Sequence, residues 1–157
     1  MKYWEYFVEL VVGFFTNYIL VCAFAGWFGA QLIKCVRYII KHKRFSFAVV
    51  MSSGGMPSSH SATVCAAVTA IAKLEGTGSI IFALAFILAF IVMYDEAGVR
   101  RAAGEQAKVL NRISMDIQKG DTKYLDKRLK ELIGHTPLQV MMGALFGIVI
   151  PFIIPTF

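Results

Sequence analysis

The chain has 157 residues, of which 57% are hydrophobic and 17% are charged. This length suits a single domain, and a charged share below the roughly 25% of globular domains argues against a soluble protein. The net charge of +6 does not require a nucleic-acid partner, because basic residues beside apolar segments lie where anionic lipid headgroups are. We therefore predict one all-α, membrane-embedded domain over residues 1–157, with no nucleic-acid partner.

The first part of the sequence predicts a short interfacial segment followed by a membrane span. Residues 1–10 mix aromatic and acidic side chains, which suits a membrane surface better than a cleavable signal. The apolar run that follows is longer than the ~30 Å hydrocarbon layer, and we place the span from about Phe14 to Ile40. Lys34 comes directly after an uninterrupted apolar stretch, and an ionisable side chain at that depth is a functional candidate.

A polar cluster precedes the second predicted helix, which runs from about Ser59 to Leu74. The cluster reads Gly54-Gly55-Met56-Pro57-Ser58-Ser59-His60-Ser61. Ser58 or Ser59 can cap the helix, so hydroxyls, backbone N–H groups and the His60 imidazole would converge at a helix N-terminus, where anions bind readily. Small residues in this helix favour a position inside the bundle. The simpler interpretation is that His60 only caps the helix or lies at the interface.

A third hydrophobic helix is predicted from about Ser79 to Met93, and helical periodicity continues beyond it. Asp95 lies at its end and is followed by Arg100 and Arg101. Its carboxylate either pairs with one of these arginines or orients an imidazole, and the sequence leaves both interpretations open.

The last part of the chain predicts a polar excursion and a final span. Residues 111–133 are polar and charged, with an amphipathic helix expected from about Tyr124 to Ile133. Pro137 suits the first turn of the fourth hydrophobic helix, which reaches about Ile154.

Counting crossings brings four separate segments to one face of the membrane. If all four hydrophobic helices cross, then Lys34, His60, residues 95–101 and His135 lie at the same interface. Most of the 16 Lys and Arg residues lie near it, which favours the cytoplasmic side of the cell membrane. Two imidazoles, several cations and a helix N-terminus suit phosphoryl transfer, in which one histidine attacks phosphorus or activates water and the other protonates the leaving oxygen.

These residues resemble the signature of a known family. Lys34, Pro57-Ser58-Ser59-His60 and His135 are similar to the three signature motifs of the type 2 phosphatidic acid phosphatases, whose fold is shared with the vanadium haloperoxidases. The closer resemblance, over residues 17–147, is to the divergent branch of small membrane proteins. It rests on Gly-Gly-Met-Pro-Ser-Ser-His-Ser-Ala, Tyr-Asp-x-x-Gly-Val-Arg-Arg and Gly-His-Thr-Pro.

The resemblance implies a metal-independent phosphatase without a cofactor. His135 would be the nucleophile that forms a phosphohistidine, and His60 the acid that protonates the departing alcohol. The residues that would hold the phosphate are Lys34, Ser58 and Ser59, with backbone N–H groups near His60. Leu129 stands where the family carries a further arginine, so we assign that phosphate contact to Arg100 or Arg101 from their location.

Gln139 stands where the family pattern has an acid that orients the nucleophilic imidazole. An amide oxygen accepts a hydrogen bond from an imidazole N–H, but it does not stabilise an imidazolium by charge. Either Asp95 or Glu96 takes over this role, with Asp95 our candidate catalytic carboxylate, or turnover is weak or absent.

The predicted substrate is a phosphorylated lipid, because the site would lie at headgroup depth. Phosphatidic acid, phosphatidylglycerol phosphate and polyprenyl phosphates all fit, and four helices, fewer than the six usual in the broader family, allow a homodimer. The alternative is a catalytically silent membrane module that binds phospholipid headgroups or a partner protein. A metal site from His60, His135 and Asp95 is disfavoured because no ligand pair has helical spacing, and a transporter because no inverted repeat is visible.

Overall fold

The computed structural model describes residues 2–47, 55–118 and 135–156, with only the backbone of residues 100–101 and 114–118. Within these ranges the regular structure is α-helical and contains no strand. The all-α prediction is therefore confirmed for the part of the chain that the structure describes. The helices are α1 Lys2–Phe15, α2 Tyr18–His42, α3 Ser59–Glu75, α4 Ile80–Ala97, α5 Val99–Gln118 and α6 Pro137–Ile153.

The first hydrophobic helix begins later than the sequence predicted. Asn17 caps α2, because its side-chain oxygen accepts hydrogen bonds from the backbone N–H groups of Ile19 at 3.0 Å and Leu20 at 3.1 Å. The predicted start at Phe14 is therefore wrong, since Phe14 belongs to the separate, exposed helix α1. At its other end α2 stops at Lys43, whose φ of 51° lies in the left-handed region.

Helices α2, α4 and α6 pack around helix α3. Ser58 caps it, accepting a hydrogen bond from the N–H of Ser61 at 3.3 Å. The faces of α3 that meet α2 and α6 carry residues without bulk, such as Ala62 and Ala66, both 0% exposed. Glycines of the neighbouring helices lie so close that an added Cβ would collide with the α3 backbone. Small residues at such crossings allow helices to approach within van der Waals contact.

The contacting glycines are Gly26 of α2 and the pair Gly143 and Gly147 of α6, which are four residues apart and share one helix face. Gly26 and Gly147 both pack against Ala62. These glycines therefore determine how closely α2 and α6 approach the first turns of α3.

Helices α4 and α5 are separated by a single glycine. Ser79 caps α4 through the N–H of Phe82 at 3.2 Å, and Gly98 ends it with a hydrogen bond from its N–H to the Tyr94 carbonyl at 2.9 Å. The helical rhythm predicted beyond Met93 is present, but it is divided between the two helices. The amphipathic helix predicted from Tyr124 to Ile133 lies outside the described residues.

Two segments in the described part of the chain are long and apolar enough to cross a membrane, by length and composition. They are Tyr18–His42 and Ile80–Ile113, while the apolar helix Pro137–Ile153 is shorter. Large apolar side chains of α4 are exposed, among them Leu84, Phe86 and Phe90. An apolar surface of this extent suits contact with lipid. The arrangement of four crossing helices remains a prediction.

A polar cluster ties α2, α3 and α6 together at the end of the bundle away from Lys34. The Tyr18 hydroxyl donates to the Pro151 carbonyl at 2.6 Å, and the Lys73 ammonium donates to the same carbonyl at 2.9 Å. Lys73 also donates to the Tyr18 hydroxyl oxygen at 3.1 Å. The start of α2 therefore lies beside the ends of α3 and α6, which leaves their opposite ends to meet at the other side of the molecule.

Candidate active site

Three separate segments bring two imidazoles to a single carboxylate. His60 lies in the first turn of α3, Glu96 in the last turn of α4, and His135 just before α6. One oxygen of Glu96 is 3.3 Å from Nδ1 of His60, and the other is 3.2 Å from Nε2 of His135. Glu96 and His135 are each only 2% exposed, whereas the His60 side chain is 38% exposed. The site is therefore accessible from outside the protein at His60, whereas Glu96 and His135 are buried.

The hydrogen bonds of Gln139 determine which nitrogen of His135 carries a proton. The Gln139 side-chain oxygen accepts from the Thr136 backbone N–H at 3.0 Å and lies 3.1 Å from Nδ1 of His135. A backbone N–H can only donate, so the atom facing it is the amide oxygen and not the amide nitrogen. Nδ1 of His135 is then the donor. In the neutral ring Nε2 carries a lone pair directed at the Glu96 carboxylate.

Two acceptors facing one another require a cation between them. Either a proton is shared between His135 and Glu96, or a metal ion is bound there. The chemistry of this site therefore depends on whether a proton or a metal ion lies between Glu96 and His135.

Lys34 and the start of α3 form the second half of the site. Lys34 is 4% exposed, and its ammonium donates to the Ser59 hydroxyl at 3.2 Å. Ser58 and Ser59 are buried, and the first turn of any helix presents N–H groups that have no partner within the helix. A buried cation, hydroxyls and these N–H groups together offer a place for an anion.

The segment before α3 is held by both neighbouring helices. Arg37 of α2 donates to the Met56 carbonyl at 3.2 Å, and the Ser58 N–H donates to the Gln139 carbonyl at 3.0 Å. Gly55 has a φ of 95° and lies against the Lys34 side chain, where a Cβ would be 3.6 Å from the lysine Cδ. The loop is therefore positioned by α2 and α6, and it places Ser59 against Lys34.

Most of the residues that the sequence singled out lie together in the structure. They are Lys34, Ser58, Ser59, His60, His135 and Gln139. Arg100 and Arg101 are in the first turn of α5, directly after the end of α4, and their side chains lie outside the described part of the chain. Leu129 also falls outside the described residues.

The carboxylate between the rings belongs to Glu96 and not to Asp95, which the sequence analysis favoured. Consecutive helical residues point about 100° apart, so only one of the two can face the bundle interior. A partial signal for Glu96 was present in the sequence, because Ala89 is a small residue two turns earlier on the same helix face and small residues favour close helix packing. In the structure Ala89 is buried.

Comparison with known proteins places these residues in a family context. A family model described as "Divergent PAP2 family" matches residues 15–150. The chain is similar to "Uncharacterized membrane protein YuiD" of Bacillus subtilis (strain 168), with 40% identity over 90% of this chain and 96% of the relative. No solved structure matches. The site residues from Lys34 to Gln139 all lie within the range that the family model covers.

Proposed function

The chain belongs to the Divergent PAP2 family of membrane proteins, and on this basis we propose that it is a lipid-phosphate phosphatase. It would hydrolyse a phosphomonoester or diphosphate on a lipid through a phosphohistidine. The observation that carries this proposal is the convergence of His60 and His135 on Glu96. Lys34 of α2 also supports the proposal, because its buried ammonium lies beside the N-terminus of α3, where it could bind a phosphate.

In the proposed reaction Nε2 of His135 attacks phosphorus, and the bond between phosphorus and the lipid oxygen breaks. His60, in its protonated form, gives its proton to the departing oxygen. Water then attacks the phosphohistidine, His60 takes a proton from that water, and inorganic phosphate leaves with His135 restored. Gln139 supports this sequence of steps, because its oxygen accepts a hydrogen bond from Nδ1–H and so leaves the lone pair on Nε2, the nitrogen that faces away from Gln139.

Glu96 would supply the negative charge that Gln139 lacks. Its carboxylate can stabilise either imidazole in the protonated form, which is the role of the orienting acid in histidine-dependent catalysis. Because Glu96 faces Nε2 of His135 at 3.2 Å, the phosphoryl group has to enter between them. We therefore expect the Glu96 side chain to move towards His60 when substrate binds.

Lys34, Ser59 and the N–H groups of the first turn of α3 would hold the phosphate oxygens. Such groups stabilise the charge that spreads over these oxygens in the transition state. Arg100 and Arg101 remain our proposal for a further cationic contact. Their position in the first turn after α4 brings their backbone close to the end of the helix that carries Glu96.

A hollow on α2 supports a lipid substrate. Its volume is about 250 Å³, and it is lined by Trp27, Phe28, Gln31, Leu32, Cys35 and Phe45. Gln31 and Cys35 lie within one turn of Lys34, so an apolar chain in this hollow would extend from a phosphate at Lys34. Phosphatidic acid, phosphatidylglycerol phosphate and polyprenyl phosphates remain the proposed candidates. The cytoplasmic orientation of the site and a homodimer also remain proposals.

The direct test is phosphate release from these lipids by the purified chain in detergent. We expect His135→Ala to reduce release to background and His60→Ala to lower kcat by about 10²-fold or more. The control is His42→Ala, because His42 is exposed at the end of α2 with its ring stacked on Tyr38. Activity should survive chelation of divalent metals. If the wild-type chain releases no more phosphate than His135→Ala, the proposal is wrong.

Gln139 favours a second candidate, a silent module that binds phospholipid headgroups without turnover. Binding would use Lys34 and the N-terminus of α3, which need no orienting acid. This candidate predicts that vesicles containing phosphatidic acid bind the chain, that Lys34→Met abolishes binding, and that no phosphate is released.

A further inference from the structure

His60, Glu96 and His135 present their ligand atoms to a common point. One nitrogen of each imidazole and a carboxylate oxygen all lie within 4.8 Å of one another. Two histidines and one glutamate are the ligand set of a class of zinc sites in which a fourth position stays open. The partial exposure of His60 puts that open position on the accessible side of the cluster.

The distances within the cluster are compatible with a shared cation and are longer than those of strong charge-assisted hydrogen bonds. The nitrogen–oxygen separations are 3.3 Å and 3.2 Å, whereas charge-assisted hydrogen bonds between nitrogen and oxygen are usually about 2.7–2.9 Å long. Two ligand atoms that bind one tetrahedral zinc ion are about 3.3 Å apart, because each lies about 2.0–2.1 Å from the metal.

The contact between His135 and Gln139 is the arrangement expected around a metal-binding histidine. Such a histidine donates its other ring N–H to an acceptor, which fixes the tautomer and the direction of the lone pair. Gln139 is held in place by the Thr136 N–H and supplies this acceptor to Nδ1. Because Gln139 is neutral, it does not favour the protonated ring, which could not bind a metal.

We propose that the chain binds one Zn²⁺ ion through Nδ1 of His60, the carboxylate of Glu96 and Nε2 of His135. Lys34 is not one of the ligand groups, and its ammonium donates to the Ser59 hydroxyl at 3.2 Å. As an inference that rests on the proposed function, zinc would inhibit the phosphatase, since it takes the Nε2 lone pair needed to attack phosphorus. Metal binding itself requires no turnover.

The sequence does not show this site because its ligands come from three segments. No pair has the spacing of a helical metal motif, and the sequence alone favours Asp95 over Glu96 as the third ligand. The folding of α3, α4 and α6 against one another creates the arrangement.

The test is a zinc titration of the full chain in detergent, after removal of bound metal with a chelator and without lipid present. We expect one Zn²⁺ per wild-type chain in competition with a chromophoric chelator. His60→Ala and His135→Ala should abolish binding, and Gln139→Leu should weaken it about 10–100-fold. His42→Ala should bind like the wild type, because His42 is the last residue of α2 and does not belong to the cluster.

Glu96→Gln keeps the shape of the side chain and removes its charge, so it tests the site even if the histidine variants fold poorly. Zinc should raise the unfolding temperature of the wild type, because a ligand that binds the folded state stabilises that state. It should not raise the unfolding temperature of Glu96→Gln, which lacks the charged ligand. X-ray absorption of the loaded protein should show nitrogen and oxygen ligands and no sulfur.

The proposal is overturned if the wild type retains no zinc, if His135→Ala retains it, or if sulfur from a residue such as Cys65 is a ligand. Because the titration contains no substrate, its outcome is independent of whether the chain is a phosphatase. A chain that binds zinc, but whose metal-free form releases no phosphate, would sustain this inference and refute the proposed function.

Discussion

A single oxygen atom of Gln139 connects the start of α6 to the chemistry of His135. It accepts the Thr136 N–H, completing the cap of the helix, and it lies 3.1 Å from Nδ1 of His135. The glutamine at position 139 therefore has a structural role in the cap of α6, and it also sets the tautomer of His135. A glutamate would keep both contacts, because glutamate is equally suited to this capping position.

We predict that Gln139→Glu increases the rate of phosphate release. The carboxylate would stabilise the positive charge that the His135 ring acquires as Nε2 attacks phosphorus, and the loss of such an acid in a serine protease costs about 10⁴-fold. A gain of about tenfold or more in kcat is therefore expected. Gln139→Leu is the opposite control and should lower the rate. An unchanged rate in Gln139→Glu would mean that Glu96 alone supplies the charge.

Lys34 gives the second prediction at this scale. Lys34→Met should lower kcat/KM for a lipid phosphate by about 10²–10³-fold, because a buried cation next to developing negative charge is lost. Lys41→Met is the matched control, since Lys41 is exposed on the same helix. Steady-state kinetics with both variants distinguishes a specific phosphate contact from a general attraction to anionic lipid.

Some site residues could be predicted from the sequence and others could not, because some depend on local patterns and others on packing between helices. Ser59 and His60 were identifiable because capping and a polar cluster are local patterns. Choosing Glu96 over Asp95 depended on how α4 is rotated in the bundle, which is decided by packing between helices. The small residue Ala89, two turns before Glu96, indicates that face only weakly in the sequence, and its burial is seen in the structure.

At the scale of the elements, the close crossings of α3 control the stability of the site. Gly147 lies against the Ala62 backbone, so a methyl group there forces the helices apart. We predict that Gly147→Ala lowers the free energy of unfolding by about 1–3 kcal/mol. Denaturation in increasing dodecyl sulfate, followed by circular dichroism, measures this change.

Gly13→Ala is the matched control for that substitution. Gly13 lies in α1 with no atom within 4 Å of an added Cβ, so the same methyl group meets open space. Its effect should be neutral or slightly stabilising, because alanine favours a helix more than glycine does. Equal destabilisation by both substitutions would contradict the role that we assign to the α3–α6 crossing.

Helix boundaries were predictable where capping residues mark them. The start of α3 at Ser59 and the start of α6 at Pro137 agree with the prediction, because Ser58 and Thr136 are strong caps. The start of α2 was missed since the apolar run continues from α1 through Phe14 and Phe15. Thr16 and Asn17 were the local signs of a boundary there, and hydropathy outweighed them.

At the scale of the whole molecule, the polar groups are separated into two ends of the bundle. Tyr18, Lys73 and Pro151 form one end, and the imidazole–carboxylate cluster lies at the other. We predict that Tyr18→Phe lowers the free energy of unfolding by about 1 kcal/mol. Phosphate release per folded molecule should stay unchanged, and a combined stability and activity measurement checks both parts.

The number of crossings is the property that sequence and structure leave as a prediction. If α2, α3, α4 and α6 all cross, the α3–α4 turn at Thr77 and the end of α2 at His42 lie on opposite sides. In a cysteine-free background in intact cells, Thr77→Cys should react with a membrane-impermeant thiol reagent and His42→Cys should not. Equal labelling of both would contradict the proposed cytoplasmic site.

The central position of α3 restricts how the chain can change length. Its first turn carries His60, while Ala62 and Ala66 in the following turns fit against α2 and α6. A one-residue insertion between Ala66 and Ala70 would rotate the first turn by about 100° relative to the last. It would misplace the imidazole and the close-packed alanines together. Deletions and duplications within this helix should therefore abolish both folding and activity. The exposed turn at Thr77 should accommodate them.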